Sequence, residues 1–228
     1  MEELRLCVFG DSIGKGVVLS ESNRYEIIRP SISKLSDGTN VVFKNNASFG
    51  STVSKMLSKL EYHKDELKNY DNVLIEVGGN DCDFDWQQVS EQPECEHSCK
   101  TPINRFSELY EKAINLIKSS GGKPVAVTLP PVVAERYFKR ISKDKSQGNI
   151  LKWLGGVNTI YRWHEMYNLC IVMLASRLNI PLIDIRSSFL KNHHYEDFIG
   201  EDGIHPNREG YELIYQTVAV HYRLNSRN

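Results

Sequence analysis

The sequence predicts an α/β fold in which helices cover both faces of a parallel five-stranded sheet. Short apolar runs rich in β-branched residues recur along the chain, as expected for strands buried on both faces of a sheet. Segments with helical periodicity separate these runs, and such alternation is typical of a doubly wound sheet. The length of 228 residues suits one domain, so we expect a single domain over 1–228.

Five apolar runs are the predicted strands. They read "LRLCVF", "NVVFKN", "NVLIEVG", "KPVAVTL" and "IPLIDI", and they occupy residues 4–9, 40–45, 72–78, 123–129 and 180–185. Because helical segments connect most of them, we expect the strands to run parallel.

Helices are predicted over 103–120, 156–179 and 207–224, where apolar residues recur at helical spacing. Glycine, asparagine or proline bounds each of these segments, as is common at helix ends. A further helix is expected over 22–36, although Pro30 leaves its limits open.

Two segments depart from the simple alternation. Residues 82–102 are polar and follow the third predicted strand, and residues 132–155 mix aromatic with basic side chains after the fourth. Ligands of open α/β sheets bind outside the carboxyl ends of the strands. Both segments are therefore candidate pocket walls, with a plain surface loop or an extra helix as the alternative.

Composition and charge exclude some classes of function. The formal net charge of −1 predicts no broad basic surface, so nucleic acid is not an expected partner. No apolar run approaches the roughly 18 residues of a membrane span, so no membrane is expected as a partner either. The N-terminal residues have neither a basic region nor a small-residue cleavage site, and we therefore expect a cytoplasmic protein.

The five cysteines predict free thiols rather than a metal site. "CEHSC" places Cys95, His97 and Cys99 close together, which raises the possibility of zinc. Zinc-binding pairs are usually spaced Cys-x₂-Cys or wider and occur in two matched sets, and the sequence has no second set. We therefore expect a polar loop here and no bound metal.

Four short motifs follow predicted strands or precede the last helix. They are "GDSIG" (10–14), "NASFGS" (46–51), "GGND" (78–81) and "EDGIHP" (201–206). Each is weak alone, but in this order they resemble the SGNH hydrolases, the GDSL-type esterases and lipases. The resemblance extends from the first strand to the last helix. It departs from the family pattern only at Ile13, where the name-giving motif has leucine.

The resemblance implies a three-layer, flavodoxin-like fold and ester hydrolysis without a cofactor. It implies that Ser12 is the nucleophile, that His205 is the general base and that Asp202 orients the histidine. It also implies an oxyanion hole formed by the amides of Ser12 and Gly50 and by the side chain of Asn80.

The chemistry of these residues supports the same roles without the family name. A serine hydroxyl needs an adjacent base to act as a nucleophile at neutral pH. Asp202 precedes His205 by three residues, a spacing that lets the carboxylate hold one ring nitrogen and leave the other for the serine. "GDSIG" also fits the Gly-x-Ser-x-Gly turn of α/β-hydrolases, but that fold places its serine after several strands.

Each motif has a simpler structural explanation. Asp11 and Ser12 are good helix-capping residues, Gly50 suits a plain turn, and Asn80 suits an Asx turn. Asp202 and His205 fit a surface loop. These explanations must all hold together to remove the catalytic interpretation.

The sequence therefore predicts a serine esterase that acts on a small-molecule ester through an acyl-enzyme. The polar loop 82–102 favours a short acyl group, such as acetyl, on a polar alcohol such as a carbohydrate, with Trp86 as a substrate-binding residue. The aromatic residues of 132–163 favour the alternative, a lipase, lysophospholipase or thioesterase for longer chains. A non-catalytic binding protein with the same fold and a metal-dependent hydrolase are the alternatives from other classes.

Overall fold

A computed structural model of the protein describes residues 3–29 and 39–225. Its strands are β1 (Glu3–Gly10), β2 (Val17–Leu19), β3 (Tyr25–Ile27), β4 (Asn40–Asn45), β5 (Asn72–Glu76), β6 (Pro124–Val127) and β7 (Leu182–Ile183). Its α-helices are α1 (Ser12–Lys15), α2 (Val53–His63), α3 (Trp86–Glu91), α4 (Ile103–Ser119), α5 (Ala134–Ile141), α6 (Gln147–Leu154), α7 (Thr159–Arg177), α8 (Ile185–Leu190) and α9 (Arg208–Asn225). Short 3₁₀ helices cover Lys64–Asn69 and Tyr195–Phe198.

Five strands form the predicted parallel sheet. Their order is β4-β1-β5-β6-β7, and every neighbouring pair is parallel. The chain places β4 on one side of β1 and β5 on the other side. Because β1 and β5 are parallel neighbours, their carboxyl ends lie next to each other at one edge of the sheet. Both the "GDSIG" and "GGND" motifs begin at that edge, as the fold class requires of a binding site.

Helices cover both faces of the sheet, which confirms the predicted α/β architecture. Alternate residues of β5 enter different cores, because successive side chains of a strand point to opposite faces. Val73 and Ile75 pack with α2, α4 and α7, whereas Leu74 packs with α8 and α9. A third apolar cluster joins α3, α5 and α6 and includes Trp86 and Phe138.

The structure confirms three of the four predicted helices. The helices predicted over 103–120, 156–179 and 207–224 are α4, α7 and α9. The prediction for 22–36 is wrong over its described part, because residues 25–27 pair antiparallel with 17–19 as a hairpin. The remainder of that prediction, from Pro30 onward, lies outside the described residues.

Helix α2 was not predicted, although its sequence carries a signal for it. Val53, Met56, Leu57 and Leu60 are buried and follow the helical spacing of one apolar face.

Within the described residues, no helix combines the length and the apolar character needed to cross a membrane.

Candidate active site

A tight turn at the end of β1 presents Ser12. Asp11 caps α1 through its Oδ1, which accepts a hydrogen bond of 2.9 Å from the Ile13 N–H, and Ser12 is the first helical residue. A side chain at Gly10 has no room, because an added Cβ would lie 2.4 Å from the backbone oxygen of Glu76. The capping explanation is thus correct for Asp11, and the cap leaves the Ser12 hydroxyl free for another partner.

Ser12, His205 and Asp202 form one hydrogen-bonded chain. His205 Nε2 lies 2.8 Å from Ser12 Oγ, and His205 Nδ1 lies 2.7 Å from Asp202 Oδ2. The Asp202 Oδ1 atom accepts hydrogen bonds of 3.1 Å from the backbone N–H groups of Ile204 and His205. All three side chains are buried, and the surface-loop explanation for Asp202 and His205 is therefore wrong.

The Asp202 carboxylate is held in its charged form. Burial by itself would raise its pKa, but the hydrogen bond and charge of His205, with the two backbone N–H donors, lower the pKa below its ordinary value. Tyr25 adds a further donor, because its hydroxyl lies 3.2 Å from Asp202 Oδ2. The aspartate therefore remains an anion that can orient the histidine and stabilise its protonated form.

Two exposed aromatic rings flank the imidazole. Tyr25 meets the His205 ring edge-on with centroids 5.1 Å apart, and Phe49 stacks on it at 6.2 Å with 17° between the planes. The Arg140 guanidinium lies over the Tyr25 ring, 5.2 Å from its centroid. Tyr25 was not predicted as a site residue, because it lies where a helix was predicted and nothing in the local sequence indicates its contact with Asp202.

Of the residues assigned to the oxyanion hole, Ser12 and Asn80 line the cavity at the site, whereas Gly50 is not among its lining residues. Asn80 lines a pocket beside Ser12, and its Nδ2 donates 3.3 Å to Asp11 Oδ2, which orients the amide. Gly50 lies in the loop before α2, next to Phe49, and has a φ of +65°. An added Cβ there would meet nothing within 4 Å, so the left-handed backbone, and not a close approach, explains this glycine.

A pair of buried carboxyl groups supports the turn from below. Glu76 Oε2 accepts 2.8 Å from the Gly14 N–H, while its Oε1 has no donor among the described groups. Burial, and then the Asp11 charge, raise the pKa of Glu76 well above its ordinary value. The signal for this residue was a lone acid inside the apolar strand "VLIEV".

This arrangement predicts a pH-dependent stability. Burial raises the pKa of Asp11 from its ordinary 3.8 to about 6. Between those values the folded protein keeps a proton that the unfolded chain releases, so the Asp11 contribution to the free energy of unfolding falls as the pH rises. We expect the stability of Asp11→Asn relative to wild type to increase from pH 4 to pH 6, as measured by urea unfolding.

Asp184→Asn is the matched control for this prediction. Asp184 caps α8 as Asp11 caps α1, but its pKa is lowered: hydrogen bonds from Ser187 outweigh the effect of burial. Its contribution is complete above the ordinary aspartate pKa and is lost only as the pH falls below it. Between pH 5 and pH 6 the relative stability of Asp184→Asn should therefore be flat while that of Asp11→Asn still increases, and a flat Asp11→Asn profile over that range would contradict the prediction.

The inner pocket, as we name the cavity beside Ser12 and His205, is small and largely apolar. Its volume is about 90 Å³, and both candidate wall segments line it. The apolar side chains that line it include Ile13, Phe84, Trp86, Val132, Ile160, Trp163 and Ile204. The structure thus places Trp86 at the site, together with Tyr137 and Trp163 from the aromatic residues of 132–163, and it shows that Phe84 was missed.

The expectation of a polar wall from 82–102 is met only by Asp83, because Cys82, Phe84 and Trp86 of the same segment also line the pocket. Asp83 Oδ1 accepts hydrogen bonds from Trp86 Nε1 at 2.8 Å and from the Tyr137 hydroxyl at 2.6 Å, and Asp83 Oδ2 pairs with Lys100 at 2.8 Å. Donors from the loop and from α5 thus satisfy the Asp83 carboxylate, and the rings of Phe84 and Trp86 line the pocket beside it. Sequence polarity could not reveal this, because it depends on partners 17 and 54 residues away.

The "CEHSC" segment does not assemble a ligand set. In the part of the chain that the structure describes, no group of three or more His, Cys, Asp or Glu side chains is arranged to hold a metal ion. His97 Nε2 instead lies 2.9 Å from the backbone oxygen of Gln92, and its ring contacts Trp153. Cys95 and Cys99 are free thiols.

The site joins a serine at the end of β1 to a histidine and an aspartate in the loop before α9, and this hydrogen-bonded arrangement is characteristic of serine hydrolases. The model of the GDSL-like lipase/acylhydrolase family matches residues 8–213, and the chain belongs to that family. The protein is thus a serine hydrolase that acts on ester bonds. No curated protein matches the sequence significantly.

Solved structures of bacterial enzymes share the fold. A lipase/acylhydrolase from Enterococcus faecalis aligns with a TM-score of 0.64 and 19% identity over 96% of this chain and 94% of that chain. A catalytic mutant of an acetylxylan esterase from Geobacillus stearothermophilus aligns with a TM-score of 0.62 and 16% identity over 96% of this chain and 94% of that chain. A psychrotrophic esterase from Pseudoalteromonas, inhibited by monoethylphosphonate, aligns with a TM-score of 0.59 and 14% identity over 97% of this chain and 98% of that chain.

Proposed function

We propose that the protein hydrolyses short-chain carboxylic esters through an acyl-enzyme on Ser12. The observation that carries the proposal is the 2.8 Å contact between Ser12 Oγ and His205 Nε2 beside a small apolar pocket. A buried serine that touches a base held by a carboxylate is the arrangement that nucleophilic catalysis needs.

In the acylation step, Ser12 Oγ attacks the ester carbonyl carbon while His205 Nε2 takes the hydroxyl proton. Asp202 stabilises the imidazolium that forms. The carbonyl oxygen becomes an oxyanion, which accepts hydrogen bonds from the Ser12 and Gly50 amides and from Asn80. The Ser12 amide is available because the first N–H groups of a helix have no partner within it.

The tetrahedral intermediate then collapses. The bond to the alcohol oxygen breaks, His205 donates its proton to that oxygen, and the alcohol leaves with Ser12 acylated. In the second half, water attacks the acyl carbon, His205 takes a proton from the water, and Ser12 Oγ departs with that proton. No cofactor or metal ion enters either half of the reaction.

The surroundings of His205 support a polar, ring-shaped alcohol such as a carbohydrate. The alcohol oxygen must reach Nε2, and the exposed rings of Phe49 and Tyr25 lie beside the same imidazole. Weakly positive C–H groups of a sugar ring pack well against aromatic faces. One protein of the same fold is described as an acetylxylan esterase, which agrees with this choice.

The chain-length profile on p-nitrophenyl esters of two to sixteen carbons tests the proposal. We expect kcat/KM to be highest for acetyl to butyryl esters, because the inner pocket is small and closed by rings. Trp86→Ala should weaken the reaction of the short esters, because Trp86 forms part of that pocket. A maximum at eight carbons or longer would contradict the proposal and favour a lipase or lysophospholipase.

A further inference from the structure

A second cavity lies against the inner pocket. We name it the outer groove, which has a volume of about 320 Å³ and is lined by Pro102, Ile103, Met166 and Tyr167 among others. Three residues line both cavities: Cys82, Phe84 and Trp163. These shared residues form a wall one side chain thick between the site of Ser12 and the groove.

The wall consists mainly of an aromatic contact. The rings of Phe84 and Trp163 have centroids 4.8 Å apart, and Trp153 packs behind them at 5.0 Å and 5.4 Å. Phe84 comes from the loop after Asn80, whereas Trp163 comes from α7. The Cys82 thiol completes the wall and donates to the Gly79 backbone oxygen at 3.2 Å.

The outer groove has the surface that a hydrocarbon chain requires. Met166 is 51% exposed at its edge, and Leu169 and Met173 continue the same face of α7 with 53% and 62% exposure. Methionine side chains adapt to irregular apolar partners. Only the wall of shared residues separates the groove from the pocket assigned to the acyl group, so the tail of a longer acyl chain is the occupant that fits it.

We propose that the Phe84–Trp163 wall limits the acyl chain length, and that a longer chain enters the outer groove when the wall is removed. This inference rests on the proposed function, because it assigns the inner pocket to the acyl group. It makes Phe84 and Trp163 residues that determine specificity, in contrast to the residues that perform the reaction.

The test compares kcat/KM for p-nitrophenyl octanoate and p-nitrophenyl butyrate. Each buried methylene contributes about fourfold, so Trp163→Ala should raise the octanoate-to-butyrate ratio about tenfold to hundredfold over wild type. Phe84→Ala removes the wall from its other side and should give the same direction of change. Because a ratio is measured, a general loss of activity does not imitate the effect.

Trp153→Ala is the matched control. Trp153 belongs to the same aromatic cluster but lines neither cavity, so its removal should leave the ratio at the wild-type value. Circular dichroism and thermal unfolding establish that each variant is folded.

The outcomes separate this inference from the proposed function. A wild-type protein that cleaves no ester would contradict the proposed function. A wild-type preference for short esters, with an unchanged ratio in both folded wall variants, would overturn the wall alone. An equal rise in Trp153→Ala would also overturn it, because loosening of the cluster would then explain the change.

Discussion

Ser12→Ala is expected to reduce kcat by about 10⁴-fold or more, since it removes the atom that becomes acylated. The change deletes one buried oxygen that contacts His205 and leaves the cap made by Asp11 intact. The thermal unfolding midpoint should therefore stay close to that of the wild type. Steady-state hydrolysis of p-nitrophenyl acetate and thermal unfolding check the two parts of this prediction.

Ser142→Ala is a suitable control, because Ser142 and Ser12 are equally buried, at 7% exposure. The Ser142 hydroxyl donates to the Phe138 backbone oxygen at the end of α5, and we expect its loss to leave kcat unchanged. A fluorophosphonate should label the wild type once, on Ser12, and should not label Ser12→Ala. Labelling of another residue would contradict the assignment of the nucleophile.

Asn80→Ala is expected to lower kcat by about 10²–10³ with little change in KM, because an oxyanion donor acts mainly in the transition state. The structure supports this role through the pocket-lining position of Asn80 and its orientation by Asp11. A full set of initial rates against p-nitrophenyl acetate concentration separates the two constants.

Asn192→Ala controls for the loss of a partly buried amide. Asn192 Nδ2 donates to the backbone oxygens of Ser188 and Phe189 at the end of α8, and kcat should not change in this variant. If Asn80→Ala raised KM and left kcat intact, Asn80 would bind the ground state of the substrate. The oxyanion role would then have to be given up.

Local sequence was enough to predict the sheet and its layers. The five predicted strands are the five strands of the parallel sheet. The residues of β5 and β6 are nearly continuous apolar runs that tolerate burial on both faces, whereas the edge strand β4 alternates, with Val41 buried and Val42 exposed. Local sequence was not enough for residues 22–27, where the polar composition is compatible with an exposed helix. Residues 25–27 form a strand because they pair with residues 17–19. Short antiparallel strands depend on such pairing and carry weak local signals.

The sequence by itself determined which side chains compose the candidate triad and the order of their motifs. Asp202 and His205 contact each other within one loop, so their spacing was informative. Their contact with Ser12 spans 193 residues and exists only because two strand ends and the last loop meet at one edge of the sheet.

Tertiary structure alone decided the character of the pocket. The Asp83 carboxylate is satisfied by distant donors, the rings of Phe84 and Trp163 close the cavity, and Tyr25 reaches Asp202 from a hairpin 177 residues earlier. These contacts depend on which distant side chains folding brings within hydrogen-bond or van der Waals range, and no local pattern records that.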